Sequence, residues 1–168
     1  MQIHRIPQLR NPVAILAFNG WNDAGEAATG VISHLLNCWA SKENLIAESS
    51  SEDYYDYQQI RPTVFVDNSR IRRLTWPSTK IFAVLTPHFD FDLVLVRGPE
   101  PSFRWPTFCN ELLDLFDDLE VNLVLTLGAL LADVPHTRRI SVSGSSPNPE
   151  LAKRFGFEVS RYEGPTGI

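Results

Sequence analysis

The sequence predicts an α/β fold, a sheet covered by helices on both faces, and three observations carry that expectation. Val13-Ala-Ile-Leu-Ala-Phe18 and Val121-Asn-Leu-Val-Leu-Thr-Leu127 are apolar runs of the kind found in strands buried on both sides. Segments with apolar residues at helical spacing follow or precede such runs. The connections are long enough for crossovers between parallel neighbours.

Taken in order, the first strand is bounded by Pro12 and by Asn19-Gly20, and a helix follows it. Asp23 and Glu26 stand at the spacing of a capping box, in which the first carboxylate accepts from amides of the opening turn. Ala24, Ala28, Val31, Leu35 and Trp39 would then form its apolar stripe. Leu45-Ile46-Ala47 is a short strand, and the polar and aromatic stretch to Tyr57 reads as a loop. Further strands are predicted at Thr63 to Val66, Ile71 to Trp76, Lys80 to Leu85 and Phe91 to Val96. Pro106 suits the first turn of a second helix whose stripe is Phe108, Leu112, Leu115, Phe116 and Leu119. After the Val121 run come a loop from Asp133 to Arg139, a strand at Ile140 to Val142, a helix from Pro149 to Phe155 and a strand near Phe157 to Ser160.

Length and composition narrow the class. A chain of 168 residues, 43% hydrophobic and 21% charged, is read as a single domain over 1–168 with a core of its own. The longest apolar run falls far short of the ~20 residues that span a bilayer, and the start lacks a signal-peptide plan, so no membrane partner is expected and the expected location is cytoplasmic. A net charge of -5 without a marked basic cluster argues against a nucleic-acid partner. Five acids between Glu111 and Glu120 read as a solvated helix face. Cys38 and Cys109 read as buried thiols in a reducing compartment, with neither a disulfide framework nor a zinc site.

In open α/β sheets ligands bind beyond the carboxyl ends of strands, which selects four places. These are Asn19-Gly20-Trp21-Asn22-Asp23, Arg97-Gly-Pro-Glu100, Gly128 with the later loop bearing His136, and Glu163-Gly-Pro-Thr166-Gly167. The candidate ligand residues are Asn19, Gly20, Trp21, Asp23, Arg97, Glu100, Gly128, His136 and Thr166. The first loop matches neither a phosphate-binding P-loop nor a dinucleotide fingerprint, and Asp23 also reads as a simple helix cap. His136 lies among polar residues, where an imidazole would either exchange protons or merely cap a turn. His88, Asp90 and Asp92 alternate, but a polar lead-in to a strand explains them better than a metal, and no metal or cofactor is expected. No serine-nucleophile elbow occurs, and no catalytic residue is assigned. Tyr54, Tyr55 and Tyr57 in one loop, with Arg104-Trp105, are the candidate partner contacts.

Several segments together resemble the PAC2 family, named for proteasome assembly chaperone 2, in its actinobacterial form. They are Phe18-Asn-Gly-Trp-Asn-Asp-Ala-Gly-Glu-Ala-Ala28, Asp53-Tyr-Tyr-Asp-Tyr57 with Arg61-Pro62, Arg97-Gly-Pro-Glu-Pro101 with Arg104-Trp105, Leu127-Gly-Ala129, Asp133-Val-Pro-His-Thr-Arg138 and Tyr162-Glu-Gly-Pro-Thr-Gly167. The resemblance implies a three-layer α/β/α sheet of the phosphorylase/hydrolase type and a homo-oligomer, with a trimer as the expected state. It brings no catalytic set. Members of this type continue past the Gly-Pro-Thr-Gly turn, so the chain is expected to be either a truncated piece or a short version. Two function classes stay open: a noncatalytic binding or assembly protein with proteasome subunits as possible partners, or an enzyme binding a nucleoside-like or anionic small molecule.

Overall fold

The structure is a computed structural model that describes residues 1–39, 44–157 and 163–168. Its centre is a six-stranded sheet in the order β1-β3-β6-β7-β2-β8. The strands are β1 (Gln2–Ile3), β2 (Val13–Asn19), β3 (Leu45–Glu48), β6 (Lys80–Val84), β7 (Leu93–Pro99) and β8 (Leu123–Leu127). β7, β2 and β8 run parallel, β6 is antiparallel to β7, β3 to β6, and β1 to β3. The sheet is therefore mixed rather than purely parallel. β6 runs against its neighbour because the chain between β6 and β7 makes a short turn, which joins antiparallel strands and leaves no room for a crossover.

Alternation along the strands sorts the core into two layers. Ala17, Leu93, Leu95 and Val84 form one cluster with Ala28 and Ile32 of helix α1 (Ala27–Trp39). Ala14, Leu16, Phe18, Val94 and Val96 form the other with Phe108, Leu112, Leu115 and Phe116 of helix α3 (Trp105–Asp118). One helix on each face makes the three-layer α/β/α arrangement. The α3 stripe and its early proline follow the sequence expectation.

The α1 stripe does not. Its buried residues are Ala28, Thr29 and Ile32, while Val31 and Trp39 are exposed. A 3-10 turn over Ala24–Glu26, with left-handed backbone at Glu26, delays the helix to Ala27 and shifts its phase. Cys38, expected to be buried, is exposed on the same helix, and Cys109 is half-buried. β8 lies at a sheet edge, so Val124 and Leu125 are exposed where a fully buried strand was expected.

Two further strands stand apart. β4 (Thr63–Val66) and β5 (Arg72–Thr75) pair with each other and not with the main sheet. Their turn is closed by Asp67, whose Oδ1 accepts from the amides of Ser69 and Ile71 and whose Oδ2 accepts from Arg73 Nε at 2.8 Å. All eight strand residues are exposed on both faces of the ribbon.

The chain divides into two compact units, 1–130 with Ile168 and 131–167. The second contains α4 (Pro149–Phe155), the helix expected there, whose N-terminus is capped by Asn148 Oδ1 accepting from Glu150 and Leu151. Ile140 and Val142 form no strand and are almost fully exposed. Most of the strand expected at Phe157 to Ser160 lies outside the described residues. Between β3 and β4 the remaining helix, α2, is the single turn Ser51–Tyr54.

Candidate functional site

At the carboxyl ends of β2 and β7 the apolar faces give way to polar residues. Arg97 pairs with Ala17 of β2 on one side and with Lys80 of β6 on the other, and Asn19 pairs with Pro99. Directly opposed residues share a face, and so do residues two apart. Asn19, Arg97 and Lys80 thus continue the face on which Ala17 and Leu95 pack under α1. A cavity of about 600 Å³ opens here, lined by these three with Arg61, Trp76 and Phe82 among others, and by no acidic residue. Arg61, Lys80 and Arg97 make no ion pair among the described residues. Across from Lys80 on β3, Glu48 is engaged instead by His4 Nε2 at 3.4 Å and Ser78 Oγ at 3.5 Å.

Of the strand-end residues expected to bind a ligand, Asn19 and Arg97 line this cavity and Gly20, Trp21, Asp23, Glu100 and Gly128 do not. Asp23 is buried and acts as a helix cap: Oδ1 accepts from Ala28 N at 2.8 Å and Thr29 N at 3.2 Å, and Oδ2 from the Thr29 hydroxyl. Glu26 does not complete a capping box, because the helix starts one residue beyond it. Glu100 Oε1 accepts from Ile168 N at 2.8 Å, and its own amide donates to Asn19 O. The loops after β2 and β8 are joined by Ala129 N to Asn22 O at 2.8 Å and Ala24 N to Ala129 O at 2.9 Å. Gly128 permits that approach, since a Cβ there would lie 2.9 Å from Asn22 Oδ1. Trp21 stays exposed. His136 and Thr166 are exposed residues of the second unit.

The aromatic loop, expected to supply partner contacts, is largely core in this chain. Tyr54 and Tyr55 are 1% and 3% exposed. The Tyr54 hydroxyl donates to Glu111 Oε2 at 2.6 Å, and burial followed by that carboxylate pushes the phenol well above its ordinary range. The Tyr55 hydroxyl bonds with Thr79 Oγ1 at 2.8 Å and Ser49 Oγ at 3.0 Å, and burial raises this phenol too. The rings point inward because each hydroxyl meets a polar partner within the core. Tyr57 is half-buried against Trp76, with ring centroids 4.9 Å apart. Arg104 is exposed, paired with Asp53 at 3.3 Å and lying 5.8 Å over the Tyr54 ring, while Trp105 donates to Pro101 O.

Asp92, weighed as a metal ligand with His88 and Asp90, is buried and bonded to Arg10, whose hydrogen bond holds its carboxyl at about 2 against the opposing effect of burial. No group of His, Cys, Asp and Glu that could hold a metal occurs among the described residues. No helix among them is long and apolar enough to cross a membrane.

The model of the PAC2 family matches residues 17–168. The chain belongs to the PAC2 family. Among solved structures, a PAC2 family protein from Streptomyces avermitilis is 50% identical with a TM-score of 0.86, over 93% of this chain and 66% of that one. A proteasome-assembly chaperone homologue from Mycobacterium tuberculosis is 47% identical with a TM-score of 0.82, over 92% and 65%. A Mycobacterium tuberculosis protein of unknown function is 27% identical with a TM-score of 0.82, over 99% of this chain and 58% of that one. The chain thus spans between 58% and 66% of the length of these relatives. The search of curated proteins finds no match.

Within this PAC2 chain, the sequence reading did not place Lys80 and Arg61 beside Asn19 and Arg97 at the cavity, nor the β4–β5 ribbon at the surface. Lys80 opens a strand that is otherwise apolar, and its position opposite Arg97 follows only from the antiparallel register. The ribbon alternates poorly in polarity, Val64-Phe65-Val66, and its apolar run marks a strand without showing that it lacks neighbours in the main sheet.

Proposed function

We propose that this PAC2 protein is a noncatalytic, protein-binding module of the assembly-chaperone type. On this reading it acts as a cytoplasmic homo-oligomer, with a trimer as the expected state, and holds subunits of a larger assembly, proteasome subunits being the expected class. The observation that carries the reading is the β4–β5 ribbon. Val64 is 60% exposed and Leu74 56%, and Phe65, Val66, Ile71 and Trp76 are also exposed. A two-stranded ribbon is marginal alone in water. Contiguous apolar residues with free strand edges mark surfaces that take up another polypeptide. The solved relative described as a proteasome-assembly chaperone homologue supports the same role.

The test is binding of purified proteasome subunits to the wild type and to a Val64→Ser, Leu74→Ser double variant, with light scattering for the oligomeric state. Binding weakened at least tenfold in the variant is expected. A wild type that stays monomeric and binds no subunit would overturn the reading.

A further inference from the structure

The cavity beside Arg97 has an electrostatic character that the protein-binding reading does not use. The chain as a whole carries a net charge of -5, yet three cationic side chains face one concavity without an acidic residue among its lining. Two of them are fixed by the sheet: Lys80 and Arg97 are register partners on adjacent antiparallel strands, so their side chains rise side by side from one face. Like charges directly opposed across strands repel each other. Glu48, the register partner of Lys80 on its other side, offsets part of that repulsion while it is engaged by His4 and Ser78, and a bound anion would relieve the rest. Asn19, next to them at the end of β2, adds an amide able to donate or accept, although its Nδ2 also reaches Thr29 Oγ1 at 3.3 Å. Trp76 and Phe82 supply apolar wall around the charges. A few convergent polar groups in a largely apolar concavity of several hundred Å³ are the usual composition of a ligand site.

We propose that this cavity binds an anionic oxygen group, a carboxylate or a phosphate, carried on a small apolar body. Arg97 supplies the planar fork that matches either group in a bidentate pair, and Lys80 and Arg61 supply point charge around it. Two sources share this chemistry: a free small anion, and the carboxyl terminus of a polypeptide. The site involves no bond-making step; Thr63 and Thr75, at the base of the ribbon on the face opposite Val64 and Leu74, line it with Trp76.

Calorimetric titration of the full chain with three probes tests it: inorganic phosphate, a capped tripeptide ending in phenylalanine with a free carboxylate, and the same peptide as its carboxamide. Binding of phosphate or the free peptide, with the carboxamide at least tenfold weaker than the free acid, is expected. Arg97→Ala and Lys80→Ala should each weaken the bound anion at least tenfold, Arg97→Lys by less, and Arg72→Ala on β5 should change nothing. Phosphate alone binding identifies a free anion as the source, and the peptide alone identifies a polypeptide terminus. Melting curves of the variants separate a lost site from a lost fold, because the exposed Arg97 leaves the core intact. Failure of all three probes to bind, or binding that survives in folded Arg97→Ala and Lys80→Ala, would overturn the proposal. The Val64→Ser, Leu74→Ser variant should bind the anion as the wild type does, so loss of either function can be seen without the other.

Discussion

Arg10 holds Asp92 with both arms of its guanidinium, Nη2 on Oδ1 at 2.7 Å and Nε on Oδ2 at 3.2 Å, while its own backbone amide reaches Oδ2 at 2.9 Å. Thr86 N adds a fourth bond, at 3.0 Å to Oδ1. The pair ties the segment before β2 to the turn between β6 and β7.

The pH dependence follows from that carboxylate. Its pKa is about 2 in the folded protein, below the ordinary 3.8. A depressed folded pKa contributes stability that is fully present above the unfolded value and is lost as pH falls from about 3.8 through about 2. The contribution is on the order of 2 kcal/mol. Urea titrations should therefore show Asp92→Asn less stable than wild type by about that amount at pH 7. The gap should narrow steadily below pH 4; a gap that stays constant down to pH 2 would count against this account.

At Gly98, β7 meets the residues that lead into β6. A Cβ there would lie 2.4 Å from Thr79 Cα and 2.7 Å from Ser78 O, both backbone atoms that no rotamer change can move. Gly98→Ala should cost about 3 kcal/mol, read as a lower urea midpoint. Because Arg97 is the adjacent residue, the same variant should also weaken anion binding in the cavity.

Asp23 answers for the start of α1. Asp23→Ala removes three hydrogen bonds at a helix N-terminus and should destabilise by about 2 kcal/mol. Asp23→Asn keeps an acceptor for the two amides and should lose less. Thermal melts of the two variants rank them, and equal losses would show that the cap is not what Asp23 provides.

The cysteines should separate by reactivity. Cys38 is exposed on α1, 3.5 Å from His34 Nε2, whereas Cys109 is half-buried and burial raises its pKa. A disulfide reagent at pH 8 should modify one thiol rapidly in the native protein and the second only on unfolding. Mass spectrometry should place the fast label on Cys38.

Sequence patterning was legible wherever local spacing decides structure. The β2 run, the α3 stripe from Phe108 to Leu119, and the α4 helix with its proline all lie where periodicity puts them. What patterning misses depends on register or on neighbours. Leu123-Val124-Leu125 looks like an interior strand yet lies at an edge, and Thr63 to Val66 reads as a strand without showing that it belongs to an isolated ribbon, because apolar content does not tell how many strands flank a segment. Val31 looked like a core residue only because the helix was started at Ala24. Asn19 and Arg97, singled out by the strand-end rule, line the cavity, whereas Lys80 reaches it from the opposite strand end, which only an antiparallel partner can deliver. Tyr54 and Tyr55 read as part of a contact loop because the stretch before them is polar, and the partners Glu111 and Thr79 that satisfy their hydroxyls in the core are remote in sequence.

The ribbon contributes no strand to the main sheet and none of its strand residues to either core cluster. Substitutions there escape the constraint that packing places on β2 or β7. On the proposed protein-binding reading, recognition would diverge between relatives while the scaffold stays fixed, and a ribbon transplanted from one member to another should carry its binding preference with it.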